Sequence, residues 1–204
     1  MTPFTVLSGP AAAIPRNNVD TDLIIRIERM SQLKRGQFAP WTFESLRYAS
    51  DGQENPDFIL NRIPFSATRI VLSGANFGCG SSREMAVWAL EDFGIRCVIA
   101  ESFGDIFYNN CLQNGLLAIK LPHDTIQALC VSCEDGAPMT VDLHRCTISV
   151  GAGLPVSFNV PEENRQALLN GLDDIDRGLA LAPQIDAFQQ RDRQQRPWMY
   201  QGAR

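Results

Sequence analysis

Short apolar runs alternate with glycine-rich or polar segments through the middle of the chain. Residues 69–73 and 96–100 are apolar runs of the kind found in buried strands, and residues 85–93 between them are apolar on nearly every side, as in a helix buried all round. Gly94 is a natural residue for the end of that helix. The pattern predicts a strand–loop–helix–strand unit whose loop opens at the carboxyl end of the first strand, where α/β sheets usually bind ligands.

The same alternation predicts elements on both sides of this unit. Before the unit, an apolar strand is expected at 4–15. After it we expect a helix at 105–114, a strand at 116–121 and a helix at 124–133. These are followed by a hairpin at 139–143 and 147–150, a third strand at 155–160 and a helical tail from 162. The polar segment 50–58 is interpreted as a join between a β-rich N-terminal part and the central unit. We expect residues 1–204 to form one domain, with an exposed C-terminal arm at about 184–204.

The loop of the central unit, GANFGCGSSRE at 74–84, combines features of an anion site. Ser81 and Glu84 have the spacing of a capping box at the start of the helix. Arg83 supplies a planar guanidinium suited to a carboxylate or phosphate. Three glycines, Gly74, Gly78 and Gly80, are expected to take positive φ values and to let the backbone approach a ligand. The loop therefore predicts a small-anion site, although a simple capped helix start would also explain the capping box.

Composition excludes some classes of partner. The formal net charge of −5 argues against nucleic acid or an anionic membrane as the main partner. The sequence shows neither an apolar run of membrane-spanning length nor a basic N-terminal segment followed by an apolar core, so we expect a cytoplasmic protein.

The cysteines leave two interpretations open. Cys130 and Cys133 form a C-x-x-C, and His144 and Cys146 downstream are conceivable further metal ligands. The same two cysteines also fall, with Ile126 and Leu129, on one face of the predicted helix at 124–133, which favours core packing.

Five segments spread over the chain resemble, in order, motifs of one family. They are NVDTD at 18–22, NPDF at 55–58, GANFGCGSSRE at 74–84, SFGDIF at 102–107 and NGLD at 170–173. This combination resembles the swivelling domain of the aconitase superfamily, and more narrowly the small subunits of 3-isopropylmalate dehydratases. The resemblance implies an α/β fold, namely a swivelling β/β/α domain with a central βαβ unit and β-rich flanks.

The resemblance also implies an activity and roles for residues. The reaction would convert 2-isopropylmalate to 3-isopropylmalate by dehydration and rehydration, a step of leucine biosynthesis. By similarity Ser81 is the base, and it would have to act as an alkoxide or near it, assisted by the helix N-terminus and Arg83. Ser82 and Arg83 would bind substrate carboxylate, Asp22 would line or orient the same site, and Arg35 would reach the substrate from its loop.

The Lewis acid for the departing hydroxyl is expected on another chain. This sequence has two histidines and no cysteine triplet with the spacing of an iron–sulfur cluster. By resemblance, a large subunit carries a [4Fe-4S] cluster, and this chain would close over it in an obligate heteromer.

Three residues depart from the family pattern. Met85 stands where the family usually has His, while Val87 and Arg26 stand where it usually has Pro. These departures keep open a related substituted malate, of methylmalate or dimethylmaleate type, or a non-catalytic family member. A further alternative is a cysteine enzyme with Cys79 as nucleophile, its pKa lowered by the nearby helix N-terminus.

Overall fold

The computed structural model describes residues 1–200, which fall into two compact units, 1–171 and 172 onward. The first unit contains one sheet of seven strands. The strands are β1 Val6–Ile14, β2 Ile70–Ser73, β3 Cys97–Ala100, β4 Leu117–Lys120, β5 Pro138–Asp142, β6 Thr147–Val150 and β7 Val156–Ser157, in the order β4-β3-β2-β1-β5-β6-β7.

Strand β1 joins a parallel half-sheet to an antiparallel one. Its carboxyl-terminal half pairs in parallel with β2, from Ala11 opposite Ile70 to Ile14 opposite Ser73. Its first half pairs antiparallel with β5, with Leu7 opposite Val141. Strands β2, β3 and β4 continue the parallel half, so the carboxyl ends of β1 to β4 meet along one edge.

Helices cover both faces of this sheet. The α-helices of the first unit are α1 Thr21–Ile24, α2 Ile27–Met30, α3 Glu44–Arg47, α4 Glu84–Phe93, α5 Asp105–Asn114, α6 His123–Cys133 and α7 Glu162–Asn170. Residues of α4 and α5 pack into one hydrophobic core with Val71 of β2, whereas α6 packs into a second core with Ile70 and Leu72. The alternation of side chains along β2 separates the two cores.

The predicted join at 50–58 is wrong. Residues 21–67 contain short α- and 3-10 helices between β1 and β2, and they belong to the same compact unit as the sheet. Phe38 and Phe43 from this stretch are buried in the core of α4 and α5. The N-terminal part is therefore a helical cover on the central unit, because β1 finds its partners in β2 and β5 and no other strand precedes β2 in the described residues.

The predicted third strand is shorter than expected. Only Val156–Ser157 pairs with β6, at the edge of the sheet. Pro155 comes directly before it and lacks the amide that would extend the ladder.

The second unit is helical in the part that the structure describes. It contains α8 Asp174–Ala180, α9 Ala182–Gln195 and a 3-10 turn at Pro197–Tyr200. Asp192 accepts hydrogen bonds from Arg196 Nε at 2.6 Å and from the Tyr200 hydroxyl at 2.8 Å, which fixes the last turn against α9. The expected arm at 184–204 lies in this unit, apart from residues 201–204, which fall outside the described residues. Within residues 1–200, none of the helices combines the length and the hydropathy required to cross a lipid bilayer.

Candidate functional site

The glycine-rich loop begins at the carboxyl end of β2, as predicted. A Cβ on Gly74 would lie 2.1 Å from Oδ1 of Asn17, and that oxygen accepts a hydrogen bond of 2.8 Å from the Ala75 amide. Gly74 is therefore needed for close approach between two segments. The expectation of a positive φ at Gly74 is wrong, whereas Gly78 and Gly80 have φ values of +71° and +92°, as predicted.

The N-terminal motif lies alongside this loop. The Asn18 amide donates to the Ala75 carbonyl at 2.8 Å, the Gly78 amide to the Val19 carbonyl at 2.7 Å, and the Thr21 amide to the Cys79 carbonyl at 2.9 Å. These bonds set the segment at 18–21 beside residues 75–79 in a strand-like pairing. Two sequence motifs that are far apart along the chain are thus brought into one site.

Three of the predicted site residues meet at the end of the loop. Arg83 forms an ion pair through Nη1 with Oδ1 of Asp22, and its Nη2 lies 3.4 Å from Oγ of Ser81. The Arg83 side chain is 13% exposed and that of Asp22 is 55% exposed, so the guanidinium is held in the site while the carboxylate faces solvent. Because a guanidinium has five N–H donors, Arg83 keeps donors for a substrate carboxylate beside these two contacts.

The remaining two predicted residues differ in their placement. Ser82 is exposed between Ser81 and Arg83, at the surface of the site. Arg35 pairs with Glu91 of α4 at 2.5 Å and its guanidinium lies 5.5 Å from the Trp88 ring. Glu91 is seven residues along the helix from Glu84, about 10 Å at the rise of an α-helix, so the structure does not bring Arg35 into the Ser81 cluster. A substrate-binding role for Arg35 stays a prediction.

The predicted capping box is wrong. Helix α4 begins at Glu84 with Arg83 in the cap position, where φ is −136° and ψ is 105°, and the Arg83 side chain makes no capping bond. The extended chain at Arg83 leaves Ser81 two residues before the cap, out of reach of the capping geometry. Glu84 instead accepts a hydrogen bond of 2.9 Å from Nδ2 of Asn114. The Ser81 hydroxyl therefore faces Arg83 and not the helix amides.

A cavity of about 440 Å³ adjoins the Ser81 cluster, and Arg26 is at its wall. The lining residues are Asp20, Asp22, Leu23, Arg26, Ile27, Glu28 and Ser45. Arg26 is exposed and lies 3.5 Å from the Glu28 carboxylate. Arg26, which stands where the family usually has Pro, thus places a positive charge beside the site.

The other two departures lie in α4. Val87 is fully buried, and Met85 is partly buried against the same core. The position that usually carries His in the family therefore holds an apolar side chain next to the loop.

Cys79 lacks the environment of an activated nucleophile. Burial and, next, the Asp20 carboxylate raise the pKa of its thiol, so the expectation of a lowered pKa on the cysteine-enzyme alternative is wrong. A cysteine nucleophile would need a histidine partner. Of the two histidines, His123 is hydrogen-bonded to Glu101, with Nδ1 2.8 Å from Oε1.

The C-x-x-C lies on α6, where Cys133 is buried and Cys130 is partly buried against the second core. Burial raises the pKa of Cys133 to about 11. Among residues 1–200, no group of three or more His, Cys, Asp and Glu side chains has an arrangement that could hold a metal ion. The burial of Cys133 and the packing of Cys130 against the second core confirm the core interpretation of the two cysteines.

The structure adds one contact that the sequence did not indicate. Thr21 is fully buried, and its hydroxyl donates to the main-chain carbonyl of Ser81 at 3.2 Å. The only local signal was its place between Asp20 and Asp22 in a cluster of polar residues.

Comparisons with known proteins point to one family. A family model of the aconitase C-terminal domain matches residues 1–124. The 3-isopropylmalate dehydratase small subunits of Roseobacter denitrificans and Dinoroseobacter shibae are 46% and 48% identical over 201 residues, covering 98% of this chain and 100% of each relative. The crystal structure of 3-isopropylmalate dehydratase (leuD) from Methanocaldococcus jannaschii has a TM-score of 0.65 and 26% identity, covering 90% of this chain and 99% of that chain.

These findings settle the predicted family and the predicted fold. The sheet with helices on both faces is the swivelling α/β fold of the aconitase superfamily, and the prediction is confirmed. With nearly half of its residues identical along almost its whole length, the chain belongs to the family of 3-isopropylmalate dehydratase small subunits.

Proposed function

We propose that this chain is the small subunit of a hydro-lyase that isomerises 2-isopropylmalate to 3-isopropylmalate in leucine biosynthesis, and that it works in the cytoplasm. The observation that carries the proposal is the grouping of Ser81, Arg83 and Asp22 at the carboxyl edge of the parallel strands. The names of the full-length relatives support the same substrate.

In this proposal Ser81 is the base. Dehydration removes a proton from one carbon and the hydroxyl from its neighbour, and rehydration returns them with their positions exchanged. The Ser81 oxygen would accept the carbon-bound proton in the first half and return it in the second. Nη2 of Arg83, 3.4 Å from that oxygen, is the nearby positive charge that would stabilise its anionic form.

Arg83 and Ser82 would hold a substrate carboxylate. The ion pair with Asp22 orients the guanidinium before substrate arrives, so less conformational freedom is lost on binding. Ser82 is exposed next to it and offers a hydroxyl to the same carboxylate. Arg35 would bind the substrate only after leaving its ion pair with Glu91.

The cluster would belong to the large subunit. The His, Cys, Asp and Glu side chains of residues 1–200 form no group of three or more that could hold a metal ion, so the described residues do not fit as holders of the cluster. On the partner, a [4Fe-4S] cluster would supply a Lewis acid for the substrate hydroxyl. The enzyme would thus be active only as a heteromer, in which this chain contributes the base and the carboxylate contacts.

The C-terminal unit is our candidate for contact with the large subunit. Leu181, Ile185 and Phe188 follow the i, i+4, i+7 spacing of one helix face and are all exposed. The other large exposed apolar side chains of this unit are Ile175, Leu179, Trp198, Met199 and Tyr200. So many exposed apolar residues in one short segment are typical of an interaction surface.

A second candidate is a dehydratase for another substituted malate, of methylmalate or dimethylmaleate type. The specific observation is Arg26, a cation at the wall of the 440 Å³ cavity beside Asp22. Arg26 would favour a substrate whose substituent is smaller or more polar than an isopropyl group.

The test is anaerobic reconstitution with a cluster-loaded large subunit, following the ultraviolet absorbance of the alkene intermediate from a panel of substituted malates. Ser81→Ala should lower kcat at least about 100-fold, as expected for loss of a general base. Ser132→Ala is the matched control, because Ser132 is an exposed serine of α6 that bonds only the Ala128 carbonyl. Association with the large subunit is measured for each variant.

The outcomes separate the candidates. Turnover of 2-isopropylmalate that Ser81→Ala loses and Ser132→Ala keeps supports the main proposal. Turnover of only another malate supports the second candidate. An intact complex that turns over no malate would show a non-catalytic member of the family.

A further inference from the structure

Thr21 stands out because it is a polar side chain with no exposure to solvent inside the site. It is one of three fully or nearly fully buried threonines among residues 1–200, with Thr42 and Thr68. The Thr42 and Thr68 hydroxyls donate to main-chain carbonyls away from the site, among them those of Ala89 and Pro10. The Thr21 hydroxyl donates to the Ser81 carbonyl at 3.2 Å, inside the site.

Thr21 holds the loop at two points. Its amide donates to the Cys79 carbonyl at 2.9 Å, and its hydroxyl to the Ser81 carbonyl. The two acceptors lie on either side of Gly80, which has a φ of +92° and no side chain to limit its backbone conformation. The two bonds therefore restrain rotation at Gly80 and fix the direction in which the Ser81 side chain leaves the backbone.

Thr21 is itself held rigidly. Helix α1 begins at Thr21, and Asp20 caps it by accepting a hydrogen bond of 2.7 Å from the Leu23 amide. The next residue, Asp22, pairs with Arg83. Consecutive residues of one capped helical turn thus hold the main chain of Ser81 and the side chain of Arg83.

We propose that Thr21 is a positioning residue that sets the orientation of Ser81 relative to Arg83 and the substrate. This inference rests on the proposed role of Ser81 as base. Thr21 touches neither substrate nor Oγ of Ser81 in this assignment, and it acts through the Ser81 main chain.

The direct variant is Thr21→Val, which keeps the shape of the side chain and removes the donor. We expect kcat to fall about 10-fold, because one hydrogen bond is lost and a small misplacement of a catalytic group slows the reaction strongly. KM should change by less than about 3-fold, since Arg83 keeps its ion pair with Asp22. Thr21→Ser restores a hydroxyl and should recover most of kcat.

The matched control is Thr68→Val. It removes a buried threonine hydroxyl at the amino end of β2, whereas the site lies beyond the carboxyl end of that strand. Thr68→Val should lose at least as much thermal stability as Thr21→Val, because the Thr68 hydroxyl contacts the Pro10 and Ile70 carbonyls at 2.8 Å, but kcat should fall only in Thr21→Val. All variants are assayed as reconstituted complexes, with thermal unfolding and association with the large subunit measured in parallel.

The outcomes are distinct from those that test the base. If the native complex turns over malate and Ser81→Ala does not, equal kcat values for native and Thr21→Val would overturn the positioning role. A kcat loss that Thr68→Val shares, or that Thr21→Ser fails to recover, would also overturn it, because the loss would then reflect general destabilisation. If the native complex is inactive, the proposed function fails first. Association measured by calorimetry then decides whether Thr21→Val still disturbs the loop surface, and an unchanged enthalpy of association would count against the inference.

Discussion

Gly78 offers the sharpest test of how the glycine-rich loop is packed. It has a φ of +71°, and a Cβ built on it would lie 2.1 Å from Cγ of the Phe107 ring. Phe107 is buried, and its ring centroid is 5.5 Å from that of Phe77. Gly78→Ala therefore adds two penalties, one from the backbone conformation and one from overlap with a ring that has little room to move.

Gly94 separates the two penalties. It also has a positive φ, +106°, at the end of α4, but a Cβ there would meet no atom within 4 Å. Gly94→Ala should cost about 1–2 kcal/mol in the free energy of unfolding, from the left-handed backbone alone. Gly78→Ala should cost that amount and a further 1–3 kcal/mol, roughly, for overpacking.

The assay is denaturant unfolding of the two variants, of Phe107→Ala and of the double variant Gly78→Ala/Phe107→Ala. Removing the ring should relieve the overlap, so the double variant should be more stable by about 1 kcal/mol or more than the two single changes predict when added. Equal costs for Gly78→Ala and Gly94→Ala, together with additive behaviour of the double variant, would refute the packing argument. In the reconstituted enzyme, Gly78→Ala should also lower kcat, because the ring and the loop that carries Ser81 move apart.

Two further predictions concern the surface of the chain. The hydrogen bond that protonated His123 donates to the Glu101 carboxylate raises the pKa of His123 above its usual 6.5. The contribution of this pair to stability is therefore complete below pH 6.5 and is lost as pH rises through the raised pKa. An NMR titration should show the pKa of His123 fall back toward 6.5 in Glu101→Gln, and an unmoved value would contradict the pairing. On the C-terminal unit, Phe188→Glu should weaken association with the large subunit about 10-fold or more by calorimetry, since buried aromatic residues dominate interfaces. Val131→Glu is its control, because Val131 is 72% exposed on α6 against 54% for Phe188, and an equal loss in both variants would argue against a specific contact.

The central unit was predictable because its patterns are local. The helix expected at 105–114 is α5 with the same bounds, and the helix expected at 85–93 starts one residue earlier, at Glu84. Each ends at a glycine, Gly94 or Gly115, in the left-handed conformation that favours glycine. Strands β2 and β3 are buried along their whole length and β4 along all but its last residue, as the apolar runs indicated.

The N-terminal cover was not predictable from periodicity. Helices α1 to α3 have four residues each, too few to show an apolar face. The position of these helices is decided by burial of side chains such as Phe43 in the core. The antiparallel partner of β1 is β5, which lies far along the chain, so local periodicity could not indicate that pairing either.

The site was predictable only in part for the same reason. The residue types of the loop indicated an anion site, but the approach of Asp22 to Arg83 depends on the pairing of two distant segments. Only the family resemblance joined them. The capping-box motif misled because it depends on where the helix starts, and the extended conformation of Arg83 moves that start by two residues.

The position of β1 also bears on how the chain is made. Of the seven strands β1 is translated first, yet its parallel partner begins at Ile70 and its antiparallel partner at Pro138. One edge of β1 must therefore stay exposed until β2 is translated, and the other edge until β5 is translated late in the first unit; unpaired edges invite intermolecular pairing. The early helical segments at 21–67 can cover one face of β1 in this interval but neither edge. The yield of folded protein should accordingly depend more on translation speed and chaperone supply than the size of the first unit would indicate.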